Sequence, residues 1–240
     1  MTNVSVVIPI KNEAENIRLL IDKIVAALEP VTRFDVIVVN DGSTDTSSEV
    51  VLKAMQTYEN VSLLEHASSA GQSAAVHSGV LAAKAPFIAT LDGDGQNPPE
   101  NLPRLLAPFL EETPQSNLGL VAGQRVGRQD KLSKKIASKL ANGLRGFLLR
   151  DGTRDTGCGL KAFRREAFLE LPYFNHMHRY LPALFKAYGW EVSHVDVSHA
   201  ARIAGRSNYS NLQRALVGAV DLFGVMWLIR RAKHAQIIKK

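Results

Sequence analysis

Residues 87–96 read FIATLDGDGQ, a short apolar run followed by two aspartates, two glycines and a glutamine. The first five residues have the length and hydrophobicity of a buried strand, and the glycines allow the backbone to turn tightly after it. Mg²⁺ is often held by one or two carboxylates together with water and substrate phosphates. The stretch therefore predicts a strand that ends in a metal and diphosphate site. An ordinary polar turn that closes a strand remains the alternative.

Apolar runs and helical patterns alternate through the first half of the chain. Buried strands are predicted at residues 4–8, 34–39, 61–64 and 87–91. Helices are predicted through residues 17–28, 49–58 and 71–84, the first of them from the helical spacing of its apolar residues. This alternation is typical of an α/β fold, with a mainly parallel central sheet and helices on both faces.

Three polar residues, Asn12, Asp41 and Asp92, each come directly after a predicted strand. Ligands of open α/β sheets bind outside the carboxyl ends of the strands. We therefore expect these three side chains to converge on one crevice.

The second half of the chain is less regular. Further strands are predicted at residues 118–122 and 192–197, and residues 131–149 have the pattern of a basic amphipathic helix. No internal repeat or domain linker interrupts the chain, so we expect one domain with a specialised C-terminal part.

Charge is distributed unevenly along the 240 residues. Residues 1–124 contain 7 Lys+Arg and 15 Asp+Glu, whereas residues 125–240 contain 22 Lys+Arg and 8 Asp+Glu. Such asymmetry favours a polyanionic partner over a merely solvated basic surface, and the candidates are nucleic acid, an anionic membrane and a phosphorylated substrate. Cys158 is the single cysteine, which excludes an intramolecular disulfide. The N-terminus has no secretory-signal pattern, and no run of about 18 uncharged apolar residues occurs, so we expect a cytoplasmic protein.

Several common catalytic motifs are missing from the sequence. It contains no Gly-x-x-x-x-Gly-Lys-Ser/Thr stretch, which disfavours a P-loop nucleotidase. No Gly-x-Gly-x-x-Gly follows the first predicted strand, and no Gly-x-Ser-x-Gly occurs. A dinucleotide-binding enzyme and an α/β-hydrolase are therefore also disfavoured.

Seven motifs in order resemble family 2 inverting glycosyltransferases with the GT-A fold, and in particular their polyprenyl-phosphate branch. The three motifs of the donor site are VVIPIKNE at 6–13, VNDGSTD at 39–45 and LDGDGQNPPE at 91–100. The four later motifs are GQR at 123–125, DTGCGLK at 155–161, HRY at 178–180 and HAARIAGRSNY at 199–209. The resemblance covers about residues 4–230. The polyprenyl-phosphate branch includes dolichyl-phosphate mannose synthases and undecaprenyl-phosphate sugar transferases.

The resemblance implies a donor site for a nucleotide sugar, with a UDP-sugar favoured over a GDP-sugar. The residues implied in nucleotide-sugar binding are Pro9, Asn12, Glu13, Asp41, Ser43, Gln72 and Asp92. Asp94 and Gln96 are implied as ligands of Mg²⁺ or Mn²⁺ beside the diphosphate. Lys11 departs from the family pattern, because many relatives have an aromatic residue there, and this weakens any expectation of stacking on the base.

The resemblance also implies an acceptor site for the phosphate of a polyprenyl phosphate. Its residues are Arg125 and Arg202, with Ser207, and the planar fork of Arg suits phosphate oxygens. A lipid monophosphate has a second pKa near 6, so at neutral pH it can attack the anomeric carbon without a protein base. Catalysis is expected to depend on Asp92, Asp94, Arg125 and Arg202, and Asp155 is interpreted as a structural or acceptor-orienting residue.

The C-terminal segment raises the question of membrane contact. Residues 212–229 are strongly apolar but contain Arg214 and Asp221, and basic residues follow directly. This pattern predicts either an interfacial helix on an anionic membrane or a buried helix with a basic tail. Together with the lipid acceptor, it favours a glycosyltransferase domain at 1–210 and a membrane-associated helix and tail at 211–240, peripheral on the inner face of the cell membrane.

Three other functions stay open at this stage. A saccharide or other soluble acceptor would need a catalytic carboxylate, for which Asp155 is the candidate. A nucleic-acid-binding module would use the basic second half, although no recognisable motif for it occurs. A pseudoenzyme is disfavoured by the intact acidic motif.

The sequence does not decide between mannose, glucose, an amino sugar and a uronic acid as the transferred sugar. A lipid-linked product would serve cell-envelope glycan synthesis or lipopolysaccharide modification, and oligomeric state is not indicated.

Overall fold

The computed structural model describes residues 2–111, 117–126, 143, 145–146, 148–200 and 211–233. Its central feature is a seven-stranded sheet with the strand order β3-β2-β1-β4-β6-β5-β7. The strands are β1 Val4–Ile10, β2 Phe34–Asn40, β3 Val61–Glu65, β4 Phe87–Thr90, β5 Leu118–Arg125, β6 Lys161–Arg164 and β7 Glu191–Val197. Every pairing is parallel except the two made by β6. The predicted mainly parallel α/β sheet is confirmed.

Helices cover both faces of this sheet. They are α1 Ile17–Leu28, α2 Ser47–Thr57, α3 Gln72–Ala82, α4 Leu102–Leu110, α5 Arg165–Leu169, α6 Leu181–Ala187 and α7 Asn211–Arg231. The helical spacing predicted for α1 is confirmed, because Ile17, Leu20, Ile21, Ile24 and Leu28 are all buried. The helices predicted at 49–58 and 71–84 are found as α2 and α3, with bounds that differ by one or two residues.

Alternate residues of β1 pack into different halves of the core. Val6 and Ile8 belong to the cluster beneath α1, α2 and α4, whereas Val7 belongs to the cluster beneath α3, α5 and α6. A strand of a parallel sheet is buried on both faces and reads as a continuous apolar run. This explains why the strand signal at residues 4–8 is so clear in the sequence.

Two described elements have no clear signal in the sequence. The strand β6 has the sequence KAFR, whose charged ends hide it, although Lys161 is only 4% exposed. The helix α4 contains Pro103 and Pro108, and proline normally argues against a helix interior. Pro103 lies in the first turn, where proline is tolerated. Most of the basic helix predicted over 131–149 lies outside the described residues.

The antiparallel strand β6 changes which loops meet at the carboxyl edge of the sheet. Its first residue, Lys161, pairs with Thr90 near the end of β4 and with Ala122 in β5. The turn that precedes β6 therefore lies at the same edge as the turn that follows β4. Gly159 in this turn accepts a 2.9 Å hydrogen bond from Thr90 Oγ1 to its backbone carbonyl.

Close packing of α3 on the sheet can be tested at Gly79. An added Cβ would lie 2.4 Å from Val7 Cγ1 and 3.1 Å from Val39 Cγ2. Overpacking costs about 1–3 kcal/mol, which exceeds the gain of about 1 kcal/mol that Ala has over Gly in a helix. We expect Gly79→Ala to lower the free energy of unfolding in urea, followed by circular dichroism. Gly224→Ala in α7, where an added Cβ meets nothing within 4 Å, should instead raise it, and equal effects of the two substitutions would contradict this packing.

Candidate active site

A cavity of about 890 Å³ opens at the carboxyl edge of the sheet. Six residues expected at the site line it: Pro9, Glu13, Asp41, Gln72, Asp92 and Asp94. Further lining residues come from a different part of the chain: Asn175, His176, His178, Arg179 and Val217. Its volume is within the range of small-molecule and cofactor sites, about 300–1,000 Å³. The sheet edge therefore forms one wall, and the segment 175–179 with α7 contributes another.

Asp41 follows β2 and is held by four hydrogen bonds. Its carboxylate accepts from Ser69 Oγ at 2.7 Å and from the backbone N–H groups of Ala70 and Gly71 at 2.8 Å each. His66 Nδ1 lies 2.8 Å from the same carboxylate. Burial raises the pKa of Asp41, but these hydrogen bonds outweigh it and lower the pKa to about 2. Asp41 is thus a fixed negative charge that anchors the loop 66–71 at the cavity.

Asn12 and Ser43 join the loops that follow β1 and β2. Asn12 Oδ1 accepts a 2.8 Å hydrogen bond from Thr44 N, and Asn12 N donates a 2.9 Å bond to Ser43 Oγ. Asn12 has a φ of 57°, in the left-handed region. Asp41 and Asp92 line the cavity, whereas Asn12 and Ser43 are not among its lining residues. Their binding of a nucleotide sugar stays a prediction.

Asp92 lies at the centre of the site. It accepts a 2.6 Å hydrogen bond from Gln72 Nε2 and a 3.1 Å bond from Asn97 Nδ2. Burial raises the pKa of its carboxyl, and the neighbouring charge of Asp94 raises it further. Lys161, the bond from Asn97 and Arg125 act in the opposite direction. Asp92 is therefore a half-buried hydrogen-bond acceptor that faces the cavity.

Asp94 and Gln96 form the tight turn after Asp92. Asp94 is 9% exposed and accepts a 3.2 Å hydrogen bond from Gln96 N. Within the described part of the chain, no group of three or more His, Cys, Asp or Glu side chains could hold a metal ion by itself. The donor set is instead the kind that binds Mg²⁺ through one or two carboxylates, with other ligands from water and phosphate.

Arg125 at the end of β5 is paired with Asp155. Arg125 Nε and Nη2 donate to the two carboxylate oxygens of Asp155 at 2.6 and 2.9 Å, a bidentate geometry. Burial lowers the pKa of Arg125, but its hydrogen bonds with Asp155 and the charge of that carboxylate give a net increase. Both carboxylate oxygens of Asp155 are thus engaged by one guanidinium, which agrees with its interpretation as an orienting residue. Arg202 and Ser207 lie outside the described residues.

Nothing in the sequence indicated that the segment 175–179 lines the same cavity as Asp41 and Asp92. His178 Nδ1 lies 2.7 Å from Ser73 Oγ at the start of α3. Burial first, and then the nearby charges of Lys161 and Arg179, hold the pKa of His178 well below its ordinary value. His178 is therefore a buried, hydrogen-bonded histidine whose surroundings disfavour the imidazolium form. The resemblance of the HRY motif at 178–180 indicated that this segment has a function. It did not predict where the side chains of the segment lie.

The helix α7 contacts the same cavity. Val217 lines it, His176 Nδ1 lies 2.9 Å from Asp221 Oδ2, and Tyr180 Oη donates a 3.2 Å hydrogen bond to the backbone carbonyl of Gly218. Another face of the helix is solvent-exposed, and its large apolar side chains are Val220, Phe223 and Trp227, exposed by 72%, 70% and 60%. None of the described helices has the length and hydrophobicity needed to cross a membrane.

Comparison with known proteins gives consistent matches. The family model described as "Glycosyl transferase family 2" matches residues 5–171. An undecaprenyl-phosphate 4-deoxy-4-formamido-L-arabinose transferase of Photorhabdus laumondii is 35% identical over 210 residues, which cover 86% of this chain and 63% of that protein. The transferase of the same name from Pectobacterium carotovorum is 34% identical over 218 residues, with 88% and 64% covered. The chain thus spans less than two thirds of the length of these relatives.

Solved structures with the same fold include glucosyl-3-phosphoglycerate synthase from Mycobacterium tuberculosis. Its complex with Mn²⁺, UDP and phosphoglyceric acid has a TM-score of 0.69 and 18% identity, covering 98% of this chain and 80% of that one. Its complex with Mg²⁺ and UDP has a TM-score of 0.70 and 17% identity, covering 95% and 79%. At this level of identity the likeness shows the fold alone, and that fold is the expected GT-A fold.

The low pKa of Asp41 predicts a pH-dependent contribution to stability. A carboxyl whose pKa is lowered by folding stabilises the protein above its unfolded pKa of about 3.9, and this stabilisation is lost as pH falls toward 2. We expect Asp41→Asn to lower the free energy of unfolding by about 1–2 kcal/mol at pH 7, and by progressively less below pH 4. Thermal unfolding from pH 7 to pH 3 measures this. The exposed Glu59→Gln serves as control, and a pH-independent effect of Asp41→Asn would refute the assignment.

Proposed function

Since the chain belongs to glycosyl transferase family 2, we propose that it transfers a sugar from a nucleotide-diphosphate sugar to a polyprenyl phosphate. The observation that carries this proposal is the pair Asp92 and Asp94 in a cavity of about 890 Å³ at the carboxyl edge of the sheet. The relatives named as undecaprenyl-phosphate transferases support the acceptor. The product would be a lipid-linked sugar for cell-envelope glycan or lipopolysaccharide modification.

The donor would occupy the cavity with its diphosphate near Asp94. A UDP-sugar is favoured, since the solved structures of the same fold contain UDP together with Mn²⁺ or Mg²⁺. Asp94 and Gln96 would hold a divalent cation, which would stabilise negative charge on the departing nucleoside diphosphate. Asp92, held by Gln72 and Asn97, would accept hydrogen bonds from the sugar. The relatives' names make a UDP-linked formamido pentose the first sugar to test.

The acceptor phosphate would bind at Arg125, Arg202 and Ser207. An oxygen of the phosphate dianion attacks the anomeric carbon, the bond from that carbon to the diphosphate oxygen breaks, and the nucleoside diphosphate leaves. Single displacement of this kind inverts the anomeric centre. No protein base is required, because the dianion carries no proton that must be removed.

A saccharide acceptor is less well supported by the same geometry. Its hydroxyl would need a carboxylate as general base, and Asp155 was the candidate. Both oxygens of Asp155 accept hydrogen bonds from Arg125. The ion pair instead leaves Arg125 oriented beside the donor site, as an acceptor phosphate would require.

The transfer reaction can be tested with purified protein, undecaprenyl phosphate, Mg²⁺ or Mn²⁺ and a panel of UDP- and GDP-sugars. We expect glycolipid formation that chelation by EDTA abolishes and added metal restores. Asp94→Ala should lower kcat by about a hundredfold, the scale of losing one electrostatic stabiliser of the transition state. Glu111→Ala, an exposed carboxylate after α4 and outside the donor-site motifs, is the control. Transfer that survives both chelation and Asp94→Ala would refute the metal site, and transfer only to soluble saccharides would refute the acceptor.

The proposed location is the inner face of the cell membrane, with α7 lying on an anionic lipid surface. Phe223 and Trp227 are exposed on this helix, and the basic residues Arg230, Arg231 and Lys233 follow them. Aromatic side chains and cationic residues together are typical of a helix that binds the membrane interface. This arrangement would place the donor cavity near the head group of a lipid acceptor, because Val217 of the same helix lines the cavity.

Membrane binding can be tested by sedimentation with vesicles that contain phosphatidylglycerol. We expect the double substitution of Phe223 and Trp227 by Ser to weaken binding by at least about tenfold, because each side chain would lose its apolar burial. Leu52→Ser, at a comparably exposed apolar position on α2, should leave binding unchanged. Equal binding by the double variant and the wild type would contradict the proposed surface.

A further inference from the structure

Lys161 is a buried cation to which neither the motif analysis nor the proposed mechanism gives a role. It is 4% exposed, at the first position of β6. Burial lowers the pKa of its ammonium group, which shows that the surroundings oppose its charge. A lysine in such a place is usually paired. Its environment therefore has to provide compensation for the charge.

The strand register places Lys161 beside the acidic turn. Lys161 is the direct partner of Thr90 across the antiparallel pair of β4 and β6, and Asp92 follows Thr90 by two residues. The ammonium donates a hydrogen bond to the backbone carbonyl of Cys158. An ammonium has three N–H donors, so this bond satisfies only one of them.

A small cavity is lined by both Lys161 and Asp92, together with Gln72, Thr90 and His178. Its volume is about 20 Å³. A polar cavity needs about 10–15 Å³ to hold one water molecule. The two residues thus face the same small space, which is large enough for a single water.

The backbone at Gly159 lies close to the same carboxylate, on the side of β6. A Cβ added at this glycine would lie 2.3 Å from both carboxylate oxygens of Asp92. The turn before β6 thus approaches Asp92 so closely that only glycine fits there. Asp92 is confined by Gly159, held by Gln72 and Asn97, and attracted by the charge of Lys161.

We propose that Lys161 is a positioning residue: it lines a small cavity together with Asp92 and holds that side chain in the direction of the donor sugar, while Asp94 remains for the metal and diphosphate. The effect on the sugar rests on the proposed function, whereas the pairing of Lys161 with Asp92 does not. If Lys161 acts through Asp92, its removal affects binding of the sugar moiety and leaves binding of the nucleoside diphosphate unchanged. A residue with a merely structural role would weaken both.

The pairing can be tested without any ligand by a double-mutant cycle. Thermal unfolding is compared for the wild type, Lys161→Met, Asp92→Asn and the double variant. We expect Lys161→Met to lower the melting temperature by several degrees in the wild type and by little or nothing in the Asp92→Asn background, because groups in contact show non-additive effects. Additive shifts would overturn the proposal. Lys84→Met, at an exposed position, is the control.

The consequence for the donor can be tested by calorimetry with Mg²⁺, UDP, UDP-glucose and UDP-4-deoxy-4-formamido-L-arabinose. The variant is compared with the wild type on whichever of the two UDP-sugars the wild type binds. We expect Lys161→Met to weaken the binding of that UDP-sugar by about tenfold. The affinity for UDP should stay within about twofold of the wild-type value. Equal losses for UDP and the UDP-sugar would overturn the positioning role. The double-mutant cycle can show coupling while the wild type binds none of these nucleotides. In that case the pairing of Lys161 with Asp92 stands, and the proposed function with a UDP donor fails.

Discussion

Two carboxylates at the end of β4 repel each other, and burial of Asp92 adds to the cost of keeping it charged. Much of the surrounding structure compensates for this cost. Gln72 and Asn97 donate hydrogen bonds to Asp92, and Lys161 and Arg125 lower its pKa. These groups come from α3, the loop after β4, β6 and β5. The negative charge of this site is therefore compensated by groups from four separate parts of the chain, and each of these parts has to lie close to Asp92.

Some basic residues of the second half lie beside carboxylates inside the protein. The second half of the chain carries most of the Lys and Arg, and the sequence alone cannot tell a surface patch from buried cations. In the structure Arg145 is paired with Asp151, and the side chain of Asp151 is fully buried. Arg125 is paired with Asp155, and Lys161 lines a small cavity together with Asp92. The two arginine pairs lie within the second half, so of these three cations only Lys161 offsets a carboxylate of the acidic first half.

The first half of the chain was more predictable from the sequence than the remainder. The strands β1, β2 and β4 are largely buried on both faces, so their apolar runs are continuous, and the polar residue after each falls at the edge of the sheet. Position after a strand does not reveal, however, that Asn12 Oδ1 accepts a hydrogen bond from Thr44 N. The sequence also carries no clear signal for β6, whose charged ends mask a strand, or for the cavity wall at 175–179. That wall depends on contacts such as the one between Ser73 and His178, which are 105 positions apart, and periodicity cannot indicate such contacts.

The reversed direction of β6 has a consequence for how such a protein can diversify. Because β5 and β6 are antiparallel neighbours, the chain leaves the sheet after Arg125 and returns at Lys161 on one edge. The order of the strands does not by itself fix the sequence between them. At the point of return, however, Asp155, Gly159 and Lys161 each touch or face a charged group of the site. Substitutions at residues 155–161 would therefore change the surroundings of Arg125 and Asp92 even where they leave the strand order intact.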